Sequence, residues 1–487
     1  MNFLSQHKTL ISPIFLFLIF TTGLIFVQRP WEDEAMFSCA SYNLAKNGYL
    51  AVPGFRRALG TVGVEKHIFW LPPLNMIAGA GWYKIFGYSV FSRRFLSCTF
   101  GLAGLIFFYL LLKKLKFEDK LILTALLLTS VDFLYTRYSG DGRLCDIMCN
   151  TLCLAGFVFY LLLREKNFIL SVFVSNLFIT MACLTHPNAL LGLAGLIFLI
   201  LFFDLKKITL ISVMVFVLPY IIGIISVSFY IFEDIEAFLS QFWYGNVLTA
   251  EKQNLFELIK NEFVKRYGMI YLGSGLKFPT LSKILVIIPL IYFSSLIYTG
   301  FKIKENVSIK IMFYLTVMYF FIMTFVLTKK WNIQYLIHII PFYNFCVALL
   351  YIDLKKAHKF LSNLILALMI VLPTGINSYR YIKNDYKKYV SDIEGINKII
   401  GINNGLYGPL ELGFGFGWDR VADDNTLGFL SGKDYNYLVS SKNYNYIGLD
   451  GHLMKYYPEV YKYQQEKFKK FALLWTGKIY NLYGRKD

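Results

Sequence analysis

The chain has 487 residues, of which 56% are hydrophobic and 16% charged, with a formal net charge of +18. A soluble domain of this length needs a far more polar surface, so composition excludes one and points to a polytopic α-helical membrane protein. The Lys and Arg surplus lies in short runs between apolar segments, as in cytoplasmic loops, which excludes a nucleic-acid-binding surface. The seven Cys fall mostly within apolar stretches, which excludes a disulfide framework.

A spanning helix needs about 20 apolar residues. The first such segment, 10–27, lacks a small-residue cleavage site and reads as a signal anchor. Just past it stand Trp31, Glu32, Asp33 and Glu34. Acids beside a bilayer are costly and usually functional. They open a segment of helical periodicity that ends at Asn47-Gly48, a good C-cap pair. A helix dipole favours acids in the first turn, and for one acid that account would suffice. Three acids after a Trp favour chemistry instead. A carboxylate there can take a proton from an acceptor hydroxyl or amine, or orient a divalent metal.

Residues 71–87 are apolar but short, open with Pro72-Pro73 and contain Lys84. They predict an interfacial helix lying on the membrane. Further spans are predicted at 93–112, 121–136, 144–163, 168–184, 188–204, 208–231, 283–300, 311–328, 333–352 and 360–376, about eleven in all. The inner loops 113–120, 164–167, 204–207, 301–310 and 353–359 then hold 14 Lys or Arg. The short outer loops 137–143, 185–187 and 329–332 hold 4. Counting 71–87 as a span would invert every later loop and violate the positive-inside rule.

Three regions therefore face outward: 28–92, 232–282 and 377–487. In the last, Gly and Asn rise and short β-like pieces appear at Tyr435–Val439 and Tyr444–Gly448. The predicted organisation is a transmembrane domain, 1–376, followed by a small extracytoplasmic α/β domain, 377–487.

The outer loops carry the remaining candidates. Arg137, Asp141 and Arg143 sit between two spans, with Asp146 one turn into the next. Exposed salt bridges contribute little, but outward Arg against the charge rule suits phosphate, whose oxygens match a guanidinium fork. His186, in Thr185-His186-Pro187-Asn188, faces the same side. A lone His is usually structural; this one can also hydrogen-bond a phosphate or sugar. Lys329 and Lys330 precede Gln334, Tyr335, His338 and Pro341. They can snorkel or hold an anion. There is no P-loop, dinucleotide fingerprint, HExxH or GxSxG, and Gly413, Gly415 and Gly417 read as a turn or strand feature. No closed His/Cys/Asp metal-ligand set is visible.

Four pieces in order resemble the integral-membrane glycosyltransferases of the C superfamily, nearest the protein O-mannosyltransferase and lipid A aminoarabinose transferase branch. They are Asp33-Glu34, Pro72-Pro73-Leu74, Arg143 with Asp146, and Lys330 with Tyr335, Leu336 and Pro341. The resemblance covers residues 10–376. It implies transfer of a sugar from a polyprenyl-phosphate carrier to a lipid, glycan or protein acceptor on the outer face of the cell membrane. It assigns catalysis to Asp33, helped by Glu34, and donor phosphate or sugar contacts to Arg143, Asp146, His186, Lys330 and Tyr335. The chain departs from the pattern before the double proline, where it has Trp70-Leu71 in place of a basic residue. A secondary transporter would instead place ionisable groups near mid-membrane in paired repeats. A non-catalytic envelope-assembly protein would make the tail the working part. Neither accounts for the acid triplet.

Overall fold

A computed structural model describes residues 8–55, 63–243, 254–268, 284–327, 333–401, 404–422, 446–450 and 471–485. The predicted Tyr435–Val439 piece and Lys330 lie outside the described residues.

The chain is mainly helical. Helix α1 (Lys8–Val27) is followed by α2 (Glu32–Asn47), α3 (Leu74–Phe86) and α4 (Val90–Lys114). Then come α5 (Asp119–Val131), α6 (Phe133–Ser139), α7 (Cys145–Leu163), α8 (Phe168–Cys183), α9 (Ala189–Asp204) and α10 (Leu210–Ile231). Next come α11 (Ile235–Trp243), α12 (Leu255–Asn261) and a π-helical turn, Glu262–Gly268. Helices α13 (Ile287–Phe301) and α14 (Val307–Phe325) lead to a 3₁₀ turn, Ile333–His338. The chain continues through α15 (Ile340–Ala357), α16 (Lys359–Lys383) and α17 (Asp385–Ile400).

Each predicted span falls on helical structure. Among the described residues seven helices are long and apolar enough to cross a membrane alone, and eight if α5 and α6 form one bent span. Helices α8 and α13 are apolar but shorter. The protein is thus a multi-pass membrane protein. Helix α3 has 13 residues, about 20 Å at 1.5 Å per residue and too short for a core of about 30 Å.

Local chemistry sets the boundaries. Ser89 caps α4 by accepting from Ser92 N, and Asn167 caps α8 by accepting from Leu170 N. Gly48, at φ +85°, closes α2 in the left-handed conformation that glycine adopts at least cost. The predicted span 121–136 is broken: α5 and α6 meet at 62°. Asp132 explains the break, its Oδ1 accepting from Leu134 N and Tyr135 N at 2.9 Å each. Its Oδ2 accepts from the Tyr292 hydroxyl at 3.0 Å, tying the bend to α13.

Among the described residues the tail forms a five-stranded sheet of order β2-β1-β3-β5-β4, from β1 (Leu406–Tyr407), β2 (Val421–Ala422), β3 (Tyr446–Asp450), β4 (Phe471–Thr476) and β5 (Tyr480–Arg485). β1 runs parallel to β2 and β3, while β5 is antiparallel to β3 and β4. Helix α17 covers it through Tyr389, Ile393, Ile396 and Ile400. Asp392 anchors the β4–β5 turn by accepting from the backbone of Lys478, Ile479 and Tyr480.

The tail also packs on α2 and on residues just after it. Leu410 and Trp418 join Ala35, Phe37, Cys39, Leu50 and Ile68 in one apolar cluster. A Cβ on Gly54 would stand 2.5 Å from Val421 O, so the two backbones touch where only glycine fits.

Candidate active site

The acid triplet occupies the first turn of α2, as its sequence suggested, with Trp31 as the preceding residue. The three acids meet different surroundings. Glu34 is fully buried and paired with Arg94, whose Nε and Nη2 donate to its two oxygens at 2.6 and 2.8 Å. Gly142 N donates to Glu34 Oε1 at 3.0 Å. A Cβ on Gly142 would sit 2.5 Å from that same oxygen. Asp33 keeps about a third of its side chain exposed (34%) and faces Arg143 Nη1 at 3.0 Å.

Two arginines that open α4 build the floor. Arg94 Nη1 also donates to Ile25 O and Gln28 O, at 2.7 and 2.8 Å, fixing the α1–α2 junction. Arg93 donates to Gly142 O at 2.5 Å and to Ser41 Oγ at 2.6 Å. They hold the Gly140–Arg143 loop against α2. Sequence reasoning passed over both because they stood at the edge of a predicted span. Their placement there, against the charge rule, was the signal.

Asp141 Oδ1 accepts from Arg143 N at 2.8 Å, and its Oδ2 accepts from the Trp31 indole at 2.6 Å. Burial, reinforced by the Glu34 charge, pushes the Asp141 carboxyl up to about 7. Leu144 then takes φ +66°, a left-handed conformation unusual for a branched side chain. That turn starts α7 with Cys145 and Asp146 beside Arg143. Arg143 Nε lies 3.1 Å from Asp146 Oδ2 and 3.3 Å from Cys145 Sγ. The Trp31 ring lies 5.9 Å from the guanidinium. Burial disfavours the Arg143 charge, but Asp146 and Asp33 outweigh it and hold the guanidinium firmly protonated.

His186 Nε2 lies 3.8 Å from Asp146 Oδ1. Its Nδ1 accepts from Asn188 N at 3.1 Å, which assigns the ring proton to Nε2. Tyr335, on the 3₁₀ turn, sets its ring edge-on to His186, centroids 5.3 Å apart. The structure therefore gathers Asp33, Glu34, Arg143, Asp146, His186 and Tyr335 at one place.

A cavity of about 380 Å³ reaches Pro187, the residue after His186. Its walls are apolar: Trp70, Pro72 and Pro73 on one side, Tyr220 and Val227 of α10 on another, and Pro187 next to His186.

Cys145, Asp146 and His186 place one donor atom each within 4.8 Å of one another. The atom types suit zinc. Arg143 already contacts the sulfur and a carboxylate oxygen of that set. A divalent cation would share those atoms with a guanidinium at close range, against strong repulsion. The set does not fit a metal while Arg143 holds this position.

No protein-family model matches the chain, and no curated protein matches its sequence. Solved structures match its fold over nearly its whole length. ArnT from Cupriavidus metallidurans, bound to undecaprenyl phosphate, aligns over 99% of this chain and 98% of its own at TM-score 0.58 and 11% identity. The Archaeoglobus fulgidus oligosaccharyltransferase, in complex with zinc and sulfate, aligns over 98% of this chain and 73% of its own at TM-score 0.56 and 11% identity. The oligosaccharyltransferase AglB of the same organism, with an inhibitory peptide and a dolichol-phosphate, aligns over 93% and 70% at TM-score 0.53 and 11% identity.

Proposed function

We propose that this protein is a glycosyltransferase that moves a sugar from a polyprenyl-phosphate carrier to a lipid, glycan or protein acceptor at the outer face of the cell membrane. The observation that carries this reading is Asp33, a partly exposed carboxylate 3.0 Å from Arg143. Asp33 takes the proton of the acceptor nucleophile as it attacks the anomeric carbon. The polyprenyl phosphate leaves, and cationic groups stabilise the charge that develops on it. The bound undecaprenyl phosphate and dolichol-phosphate of the fold neighbours support a carrier of this kind.

Glu34 has a supporting role in this scheme. Its oxygens are taken by Arg94 and Gly142 N, so it positions the α2 terminus and the Arg143 loop. Arg143 orients Asp33 and faces the leaving phosphate. His186, Tyr335 and Lys330 complete the donor side. The apolar cavity suits the first isoprene units of the carrier.

The tail packs against the acid helix through Leu410 and Trp418. We place residues 377–487 on the same, extracytoplasmic side as residues 28–92, as the loop charges require. The decisive experiment is transfer from a radiolabelled polyprenyl-phosphate sugar to envelope extract by the purified protein in proteoliposomes. Loss of transfer in Asp33→Asn, with folding kept, is the expected result; full transfer would sink the assignment.

A further inference from the structure

Arg137 is the one residue of α6 that is not buried. Every other residue of that short helix packs inward. Among the described residues its guanidinium has no ion pair and no hydrogen bond; it lies 5.4 Å from the centroid of the neighbouring Tyr138 ring.

A second arginine comes to meet it. Asn377 and Arg380, one turn apart near the end of α16, hold that helix on α6. Asn377 Nδ2 donates to Thr136 Oγ1 at 3.1 Å, and Arg380 Nη1 donates to Phe133 O at 3.2 Å. Phe133 and Arg137 are four residues apart and share one face of α6. The half-buried Arg380 guanidinium, 5.7 Å from the Phe133 ring centroid, therefore lies on the Arg137 side, where the two charges repel.

The nearby acids are engaged elsewhere. Asp132 accepts from Leu134 N, Tyr135 N and the Tyr292 hydroxyl. Asp141 accepts from Arg143 N and the Trp31 indole. Among the described residues neither acid forms an ion pair with Arg137 or Arg380. Like charges brought together in this way favour an anion between them. Snorkelling explains why one arginine reaches the surface; it does not explain why α16 aims a second one at the first.

Depth selects the anion. Arg137 stands one residue past the predicted span 121–136, and Arg380 stands one turn past the predicted span 360–376. Both sit where the hydrocarbon core gives way to headgroups. Phosphate oxygens there match a guanidinium fork.

We propose that Arg137 and Arg380 form a binding site for the phosphate of an anionic phospholipid headgroup, separate from the group around Asp33 and Arg143. The two forks take the phosphate oxygens from α6 and from α16, and the lipid ties the bent span to α16. The site is one of attachment, with no bond made or broken, and it does not depend on the transferase reading.

Native mass spectrometry of the full chain in detergent reads this site. The protein is titrated with phosphatidylglycerol and, separately, with phosphatidylcholine of the same acyl chains. Phosphatidylglycerol should bind about twentyfold tighter, each arginine contributing about fivefold. Arg137→Gln removes no internal hydrogen bond and should cut that advantage about fivefold; adding Arg380→Gln should abolish it. Melting temperatures show that the variants fold, and Arg137→Gln alone decides the matter if the double variant does not. An advantage that is absent, or unchanged in Arg137→Gln, overturns the proposal. Inorganic phosphate that raises the melting temperature as much as phosphatidylglycerol at equal concentration would mark a free-ion site and overturn the lipid. Undecaprenyl phosphate affinity should stay within about twofold in Arg137→Gln; a loss in step with phosphatidylglycerol would assign the pair to the sugar carrier and overturn the separate site.

Discussion

Arg143 stands between two carboxylates, 3.0 Å from Asp33 Oδ2 and 3.1 Å from Asp146 Oδ2. Asp33 is partly exposed; Asp146 is buried and opens α7. One guanidinium therefore sets the direction of the proposed base and neutralises the acid behind it.

Asp33→Asn preserves shape and removes the basic oxygen. Transfer should fall by about 10²–10⁴-fold, the usual range for losing a general base. The melting temperature in detergent should stay close to wild type. Initial rates in proteoliposomes decide the matter.

Arg143→Lys keeps the charge but cannot span two carboxylates with a planar fork. We expect at least about a tenfold loss in transfer with little loss of fold, a larger defect than exposure alone would predict. Arg143→Ala leaves Asp146 buried and unpaired, and should destabilise by about 3–5 kcal/mol. Denaturant or thermal melts of the two variants separate the effects, and equal stability would contradict the pairing.

Glu34→Gln breaks a buried bidentate pair and leaves Arg94 charged in the interior. A loss of about 3–5 kcal/mol is expected, accompanied by poor membrane accumulation. Restoring the protein by the double change Glu34→Gln with Arg94→Met would mark the pair as structural. A Glu34→Gln protein that is stable yet inactive would give Glu34 a direct chemical part.

Asp141 titrates far above its ordinary value of 3.8, at about 7. Between about pH 4 and pH 7 the folded protein keeps a proton that the unfolded chain has lost. Stability from this group is therefore full at the acid end and declines as pH rises through 7, by up to about 1.4 kcal/mol per unit. Asp141→Asn should flatten the change in melting temperature between pH 5 and pH 8. An unchanged slope in that variant would reject the assignment.

Chelation tests the conflict between Arg143 and a metal at Cys145, Asp146 and His186. Dialysis against EDTA should leave both transfer and melting temperature unchanged, and elemental analysis should find less than one zinc per chain. Stoichiometric zinc, lost together with stability, would show that Arg143 yields its place.

Much of this site was legible in sequence because charge and proline are conspicuous near apolar segments. The acid triplet, Pro72-Pro73, Arg143 and His186 all announced themselves that way. The partners of the acids did not. Arg93 and Arg94 merged with the span they begin, although they form the floor of the site. The bend at Asp132 was hidden as well: a 3.6-residue pattern runs through α5 and α6, and only the capping geometry of one carboxylate separates them. His186 and Tyr335 needed the short α8–α9 link and the 3₁₀ turn to meet beside Asp146, and no local pattern encodes that.

The contact of Gly54 with Val421 O and the burial of Leu410 and Trp418 among α2 residues have a consequence for the order of synthesis. The acid helix is made long before the segment that covers it. Until residues 410–422 are in place, Ala35, Phe37 and Leu50 lack part of the cluster that buries them. A ribosome that stops before Leu410 therefore releases a protein whose membrane helices are all present but whose acid helix is only partly packed. The packing of the acid helix is therefore complete only after residues 410–422 have been made.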